Sequence, residues 1–284
     1  MTKKLSLAVI LYHLKRGKLT FIGKPLFIVL VTVELCIERC MDFLFASPFE
    51  SKLVDENLTA LIKTFERPRE LKRLIDSIKY FYPEMKIIVV DDSKRPSYFK
   101  GVQIISMPYD CGVSVGRNIA LKAVKTKYLL LLDDDFIFYR KTDLERAVGK
   151  MDLFSEIDIM GGEVINLPLY TSTNYKDASL HPTTNASLRA VGSKIGELAV
   201  YDKVANFYIG RTESIRCVGW DDRIKRLDHA DFFTRAKGVL ISVFNPEFKI
   251  LHAQTPFNKD YMAKRNDYDE DKKLIYEKYY MTVG

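Results

Sequence analysis

The chain has 284 residues, 47% apolar and 29% charged, and Lys plus Arg exceed Asp plus Glu by 44 to 37, a net charge of +7. That length suits one compact α/β domain with a short appendage, and the composition excludes a globally disordered chain. No basic block with interleaved aromatics, zinc-finger spacing or RNA-binding signature is present, which argues against a nucleic-acid partner. The basic excess fits a protein that handles anions or rests on an acidic membrane surface, and equally a plain solvated surface. Cys36, Cys40, Cys111 and Cys217 form no C-x-x-C pair, so reduced thiols are expected rather than a disulfide framework.

Residues 1–55 differ from the rest and read as an amphipathic helical segment ahead of a domain at 56–284. The apolar patch Leu5–Leu14 is followed by the basic hinge Lys15-Arg16-Gly17-Lys18 with no small-residue cleavage site between, which disfavours a signal peptide. Pro25 opens a second apolar stretch ending at Ala46, whose uninterrupted part is shorter than the ~20 residues needed to span a bilayer. Glu34, Glu38 and Asp42 recur every four residues, which places them on one narrow stripe of a helix, with Arg39 beside it. A helix apolar everywhere else needs a buried seat, a partner or a membrane interface. The basic flanks favour the interface, and the expected location is peripheral, at the cytoplasmic face of a membrane, with a Golgi-type placement the alternative for a eukaryotic chain.

From Leu58 strands and helices alternate. Leu58–Ile62 is a short apolar strand, and Pro68 opens a helix with Leu71, Leu74, Ile75 and Ile78 at helical spacing, ended by Tyr82-Pro83. Lys86–Val90 is β-branched and apolar, as a buried parallel strand should be, and Val102–Ile105 follows as another. A helix starts at Gly112–Ser114, Tyr128–Leu132 is a further buried strand, and a helix follows near Thr142–Phe154. The order predicts an open, mostly parallel α/β sheet with helices on both faces. Ligands of such sheets bind at the carboxyl ends of the strands.

Polar clusters stand at those ends: Lys63-Thr64-Phe65-Glu66-Arg67, Asp91-Asp92-Ser93, Gly112 to Asn118, and Asp133-Asp134-Asp135. Singly each is weak, since an Asp-Asp-Ser is often only a turn and an acidic triplet often only a solvated loop. Their common placement is the signal. Three adjacent carboxylates raise one another's pKa, and a bound Mg²⁺ or Mn²⁺ relieves that repulsion through oxygen ligands.

The stretches LIKTFERPRELKRLIDSIKYFYP, IIVVDDS, GVSVGRNIAL, TKYLLLLDDDFIF, MGGEV, NFYIGRTESIRCVGWDDRIKRLDHADFF and ILHAQ run in this order from Leu58 to His252. Together they resemble the GT-A glycosyltransferases of the family 2 type, and more narrowly the ganglioside-type β-1,4-N-acetylgalactosaminyltransferases and their bacterial relatives. The resemblance implies a Rossmann-like GT-A fold. It also implies metal-dependent, inverting transfer of GalNAc, Gal or GlcNAc from a UDP-sugar to a glycan or glycolipid hydroxyl, in surface polysaccharide or glycolipid synthesis. Thr64, Arg67, Asp91 or Asp92, Arg117, Asp133 and Asp134 would hold the nucleotide. Asp135, Asp133 and His252 would hold the metal.

The family's Glu-Asp-x-Asp base segment corresponds here to Asp228-His229-Ala230-Asp231, so Asp228, His229 and Asp231 are the base candidates. On a helix 228 and 231 share a face and 229 turns away, which favours Asp231, then His229. Capping roles for both aspartates are the bland alternative. Trp220, with Asp221 beside it, is either a stacking platform for an acceptor sugar or a core anchor. Residues 170–200 read as a loop over the acceptor side, and the charge-alternating tail from Asn258 as a surface helix or lid. A non-catalytic nucleotide-sugar binder of the same fold is the competing reading. A sugar-1-phosphate nucleotidyltransferase fits less well, because the loop at 63–67 lacks glycines.

Overall fold

The computed structural model describes residues 20–45 and 51–281; the Leu5–Leu14 patch and the basic hinge lie outside them. Four parallel strands form one half of the sheet: β1 (Leu58–Thr64), β2 (Lys86–Asp91), β3 (Gln103–Ser106) and β4 (Tyr128–Asp133), in the order β3-β2-β1-β4. Of these, β1, β2 and β4 read as largely apolar runs because both of their faces are buried, whereas β3 is the partly exposed edge. Tyr128, Leu130 and Leu132 join the core on one face, and Leu129 and Leu131 the core on the other.

Helix α1 (Thr20–Phe45) and the short α2 (Lys52–Asn57) precede the sheet. Helix α3 (Pro68–Phe81) has proline at its first position and buries Leu71, Leu74, Ile75 and Ile78. Helix α4 (Val113–Ala123) packs on the opposite face, and α5 (Leu144–Leu153) begins at Asp143, whose carboxylate accepts the Arg146 N–H.

The second half of the sheet is mixed. It holds β5 (Phe136–Ile137), β6 (Ile159–Asn166), β7 (Thr171–Ser172), β8 (Lys194–Ile195), β9 (Leu198–Val200), β10 (Tyr208–Arg211) and β11 (Ser242–His252). Beyond β4 the order is β10-β6-β11-β9-β8; β10 runs antiparallel to β4 and β6, and β11 parallel to β6. The glycines in β6 are steric requirements. A Cβ on Gly161 would stand 2.4 Å from the Val204 side chain, and one on Gly162 2.5 Å from the Phe248 carbonyl. Helices α6 (Thr212–Val218), α7 (Asp228–Ala236), α8 (Lys259–Arg265) and α9 (Asp269–Tyr279) complete the described chain. The 170–200 excursion packs on this side: Tyr175 meets His229, and His181 stacks on Tyr279 at 4.7 Å.

Helix α1 departs from the sequence reading in two respects. It already runs at Thr20, with Pro25 inside it, so it is long and apolar enough by length and composition to cross a membrane. It is also seated with its polar side inward. Glu38 and Asp42 are buried against Arg140, whose backbone N–H donates to Asp42 at 2.9 Å. The Tyr170 hydroxyl lies 2.9 Å from Glu34 and 3.0 Å from Glu38. Phe27 and Val31 add an apolar anchor among Ile137, Tyr139, Leu167, Leu251 and Ala253. Phe21, Ile22, Val29, Val33, Ile37, Phe43, Leu44 and Phe45 face outward, exposed.

Candidate donor and catalytic site

The carboxyl ends of β1, β2, β4 and β11 meet the first turns of α4 and α7 around a cavity of about 340 Å³. Its wall includes Thr64, Arg67, Asp92, Arg117, Asp133, Asp134, Asp135, Asp228 and His252, so most of the predicted site residues converge. Asp91, Asp231, His229, Trp220 and Asp221 are not part of that wall.

The acidic triplet divides its work. Asp133 is 40% exposed and faces the cavity, with Oδ1 3.0 Å from Arg117. Asp134 is buried; its Oδ2 accepts from the Thr64 hydroxyl at 2.7 Å, and Oδ1 lies 2.6 Å from Arg67. Burial pushes the Asp134 carboxyl up, to about 7, against the pull of Arg67. Asp135 is equally buried, but His252 and Arg67 outweigh that burial and hold it below the ordinary carboxylate range. Arg67 thus clamps two adjacent carboxylates. It also donates to Thr255 at 2.9 Å and Tyr261 at 3.2 Å.

Asp135 and His252 form the part suited to a cation. Asn166 donates its amide N–H to the Thr171 carbonyl at 3.0 Å, which turns its Oδ1 toward His252 Nδ1 at 2.8 Å. An acceptor there requires Nδ1 to carry a proton. In the neutral ring the Nε2 lone pair then points at Asp135 Oδ1, 3.2 Å away. Two lone pairs at that distance call for a cation between them, either a proton or a metal ion. A carbonyl-type oxygen behind the imidazole is also how a metal-bound histidine is oriented. Among the described residues no three His, Cys, Asp or Glu side chains already stand together as a metal cluster. The pair fits a site that takes its remaining oxygens from a bound diphosphate and water, as Mg²⁺ commonly does.

The Asp91-Asp92 pair also splits. Asp91 accepts the backbone N–H groups of Ser93 and Ser97, both at 2.9 Å, so it fills the turn-forming role. Asp92 reaches the cavity, pairs with Lys63 and accepts the Gly112 N–H at 3.2 Å. Lys63 crosses Gly116 on its way: a Cβ there would stand 2.4 Å from the lysine Cδ. Gly112 has φ of 104° and caps α4. Both glycines of the 112–118 segment therefore have structural reasons.

Of the base candidates, only Asp228 borders the cavity. It pairs with Arg117, which also holds Asp133, and burial raises its carboxyl. Asp231 shares the helix with it but meets other partners: Arg235 at 2.9 Å, Lys278 at 2.6 Å and the Tyr279 hydroxyl at 2.6 Å. Those three donors hold Asp231 below the ordinary carboxylate range although burial opposes them. His229 lies 2.7 Å from the Val204 carbonyl through Nε2, and burial together with Lys203 lowers its pKa to about 3. An imidazole so placed takes up a proton poorly near neutrality. Trp220 is buried at 6% exposure and stacked on Phe232 at 5.1 Å, which makes it a core anchor and leaves no face for a sugar ring. Asp221 joins the Asp231 cluster through Lys278 at 2.9 Å.

Sequence reasoning missed one wall. Tyr261, Lys264, Arg265, Asn266 and Tyr268 come from α8 and the turn after it, where the charge pattern suggests only a surface helix or lid. Lys63, Arg226 and Asn166 were missed as well. Only Lys63 carried a signal, its place inside the first strand-end cluster.

Residues 59–166 match the Glycosyl transferase family 2 profile. That segment is similar to family 2 glycosyltransferases. The chain is 37% identical over 199 residues to "Beta-1,4 N-acetylgalactosaminyltransferase 1" of Rattus norvegicus, a match covering 65% of this chain and 37% of that protein. It is 35% identical over 217 residues to "Beta-1,4 N-acetylgalactosaminyltransferase 2" of Mus musculus, covering 74% and 42% respectively. The chain thus spans about two fifths of the length of these curated relatives. The fold is similar to that of S. aureus TarS 1-349 in complex with UDP-GlcNAc, at a TM-score of 0.55 and 16% identity, over 70% of this chain and 59% of that one. The UDP complex of the same protein gives 0.54 and 17%, over 80% and 74%. The sheet is the GT-A arrangement expected from the sequence, with a helix at its amino-terminal side.

Proposed function

We propose that the chain is a metal-dependent glycosyltransferase that moves an N-acetylhexosamine or hexose from a UDP-sugar to an acceptor hydroxyl, with inversion. The observation that carries this reading is the Asp135–His252 pair beside Asp133, on a cavity sized for a nucleotide. The names of the relatives support the sugar class, and the UDP complexes of the structural neighbour support the nucleotide.

Asp135 and His252 would hold Mn²⁺ or Mg²⁺, which when bound neutralises charge on the departing diphosphate. Thr64 and Arg67 keep Asp134 and Asp135 in place, so the carboxylates need little rearrangement when the donor arrives. Asp92, held by Lys63, borders the nucleotide's space. Asp228 serves as the base that takes the acceptor's proton: it is the candidate on the cavity wall, and burial, by raising its carboxyl, makes it more basic than an exposed aspartate. Asp231, favoured by helix geometry alone, is a structural ion pair in this reading. Helix α1, with its outward apolar face, lies along a membrane surface and brings the cavity to a membrane-borne acceptor.

The test is transfer and donor hydrolysis with UDP-GalNAc, UDP-Gal and UDP-GlcNAc, with Mn²⁺ and with chelator. Asp228→Asn should lose ~100-fold or more in transfer while retaining UDP affinity. Tight UDP binding without turnover across acceptors would instead identify a binding protein. A transfer-dead but folded Asp231→Asn beside an active Asp228→Asn would return the base to Asp231.

A further inference from the structure

The cavity wall carries six cationic side chains and six aspartates. Five of the cations are committed. Lys63 pairs with Asp92, Arg67 with Asp134 and Asp135, and Arg117 with Asp133 and Asp228. Arg226 lies 2.7 Å from Asp110, and Lys264 is 3.6 Å from the same carboxylate. The sixth, Arg265, has no carboxylate partner among the described residues. It is exposed in the last turn of α8, yet close enough for its charge to bear on the Asp133 carboxyl.

The helix that carries Arg265 is held over the cavity. The Tyr261 ring lies 4.4 Å from the Arg67 guanidinium carbon, and its hydroxyl accepts an Arg67 N–H. Arg226, from the segment before α7, donates to the Lys264 carbonyl. The Asn258 side chain caps the start of α8 by accepting the Tyr261 N–H at 3.1 Å. An uncommitted guanidinium on a tethered helix, above a wall whose other five cations are already paired with its carboxylates, suits a ligand that brings its own negative charge.

We propose that Arg265 binds the diphosphate of the nucleotide donor, so that α8 forms the phosphate-side wall of the site. This rests on the UDP-sugar reading above and adds a recognition residue from a segment outside the stretches that carry the family resemblance. A guanidinium presents paired N–H donors that match phosphate oxygens, and a charge-assisted contact of this kind is stronger than a neutral one. Uridine alone gives Arg265 nothing to hold. The assignment therefore separates the diphosphate from the nucleoside.

Calorimetric titration of the full chain with UDP, UMP and uridine, in Mn²⁺ and in chelator, tests it. Arg265→Ala should weaken UDP by ~10-fold or more while uridine changes by less than about 2-fold. Arg265→Lys should recover part of the UDP loss, because it keeps the charge and loses the fork. Lys272→Ala, in an exposed pair with Asp269 on α9, should bind UDP as the parent does. Unchanged UDP affinity in Arg265→Ala would overturn the proposal, as would an equal loss for UDP and uridine. Failure of the parent chain to bind UDP at all would overturn the donor reading itself, and this assignment with it.

Discussion

Replacing Arg140 with Met should release helix α1 from the domain. The guanidinium faces Glu38 and Asp42, both nearly buried, and Arg140→Met leaves two carboxylates side by side without their cation. Breaking a buried pair by removing one partner costs ~3–5 kcal/mol, and the 20% exposure of the Arg140 side chain argues for the lower end, about 3 kcal/mol. Against this stand Phe27 and Val31, whose burial contributes ~1.5–3 kcal/mol each. The loss is comparable to the whole apolar anchor, so undocking relieves the charges at little further cost. The strand segments beneath the helix, β5 and the end of β11, report the event through hydrogen exchange. Their amides should exchange ~100-fold faster in Arg140→Met, since about 1.4 kcal/mol corresponds to a factor of ten. Adding Glu38→Gln and Asp42→Asn should restore most of the protection. Unchanged exchange in the single variant, or no recovery in the triple variant, would refute the polar-seat account of α1.

Three further outcomes are expected. His252→Ala should weaken Mn²⁺ binding by ~10-fold or more, and Asn166→Leu should follow it in the same direction, because Asn166 sets which imidazole nitrogen bears the proton. Asp231 and Asp221 both lie below the ordinary carboxylate range, so they stabilise the fold above the unfolded value of ~3.9 and lose that contribution as pH falls; thermal melts of Lys278→Met should show a shallower drop between about pH 5 and 3 than the parent. His229 is held neutral down to about 3. The unfolded chain binds its proton below ~6.5, so stability falls with pH across that window; His229→Gln should flatten the slope and leave the pH profile of transfer without a change near 6.5.

The parallel half of the sheet was legible because strands buried on both faces, such as Lys86–Asp91 and Tyr128–Asp133, need continuous apolar sequence, and each ended in charge. The mixed half was not. β6 carries two glycines required by its neighbours, and β11 has polar residues and a register shift between Asn245 and Lys249. Their roles depend on what packs against them, which sequence periodicity does not report. In the candidate site, the convergence of the Asp133 to Asp135 triplet and His252 on one cavity was legible through placement and resemblance together. The helix-face argument for Asp231 failed to anticipate Lys278 and Tyr279, which arrive from a helix far along the chain. Arg265 was hidden for the same reason: in the linear sequence it is one charge among many.

The tether between Arg67 and Tyr261 has a consequence for how the protein matures. During synthesis the sheet, the acidic triplet and His252 leave the ribosome before α8 does, and domains fold as their residues emerge. Until Tyr261 arrives, Arg67 has the two carboxylates and Thr255 but no cover. A chain released at residue 258 would therefore hold a nearly complete sheet around an open, acidic mouth, competent to attract cations although it lacks the wall that would receive a nucleotide.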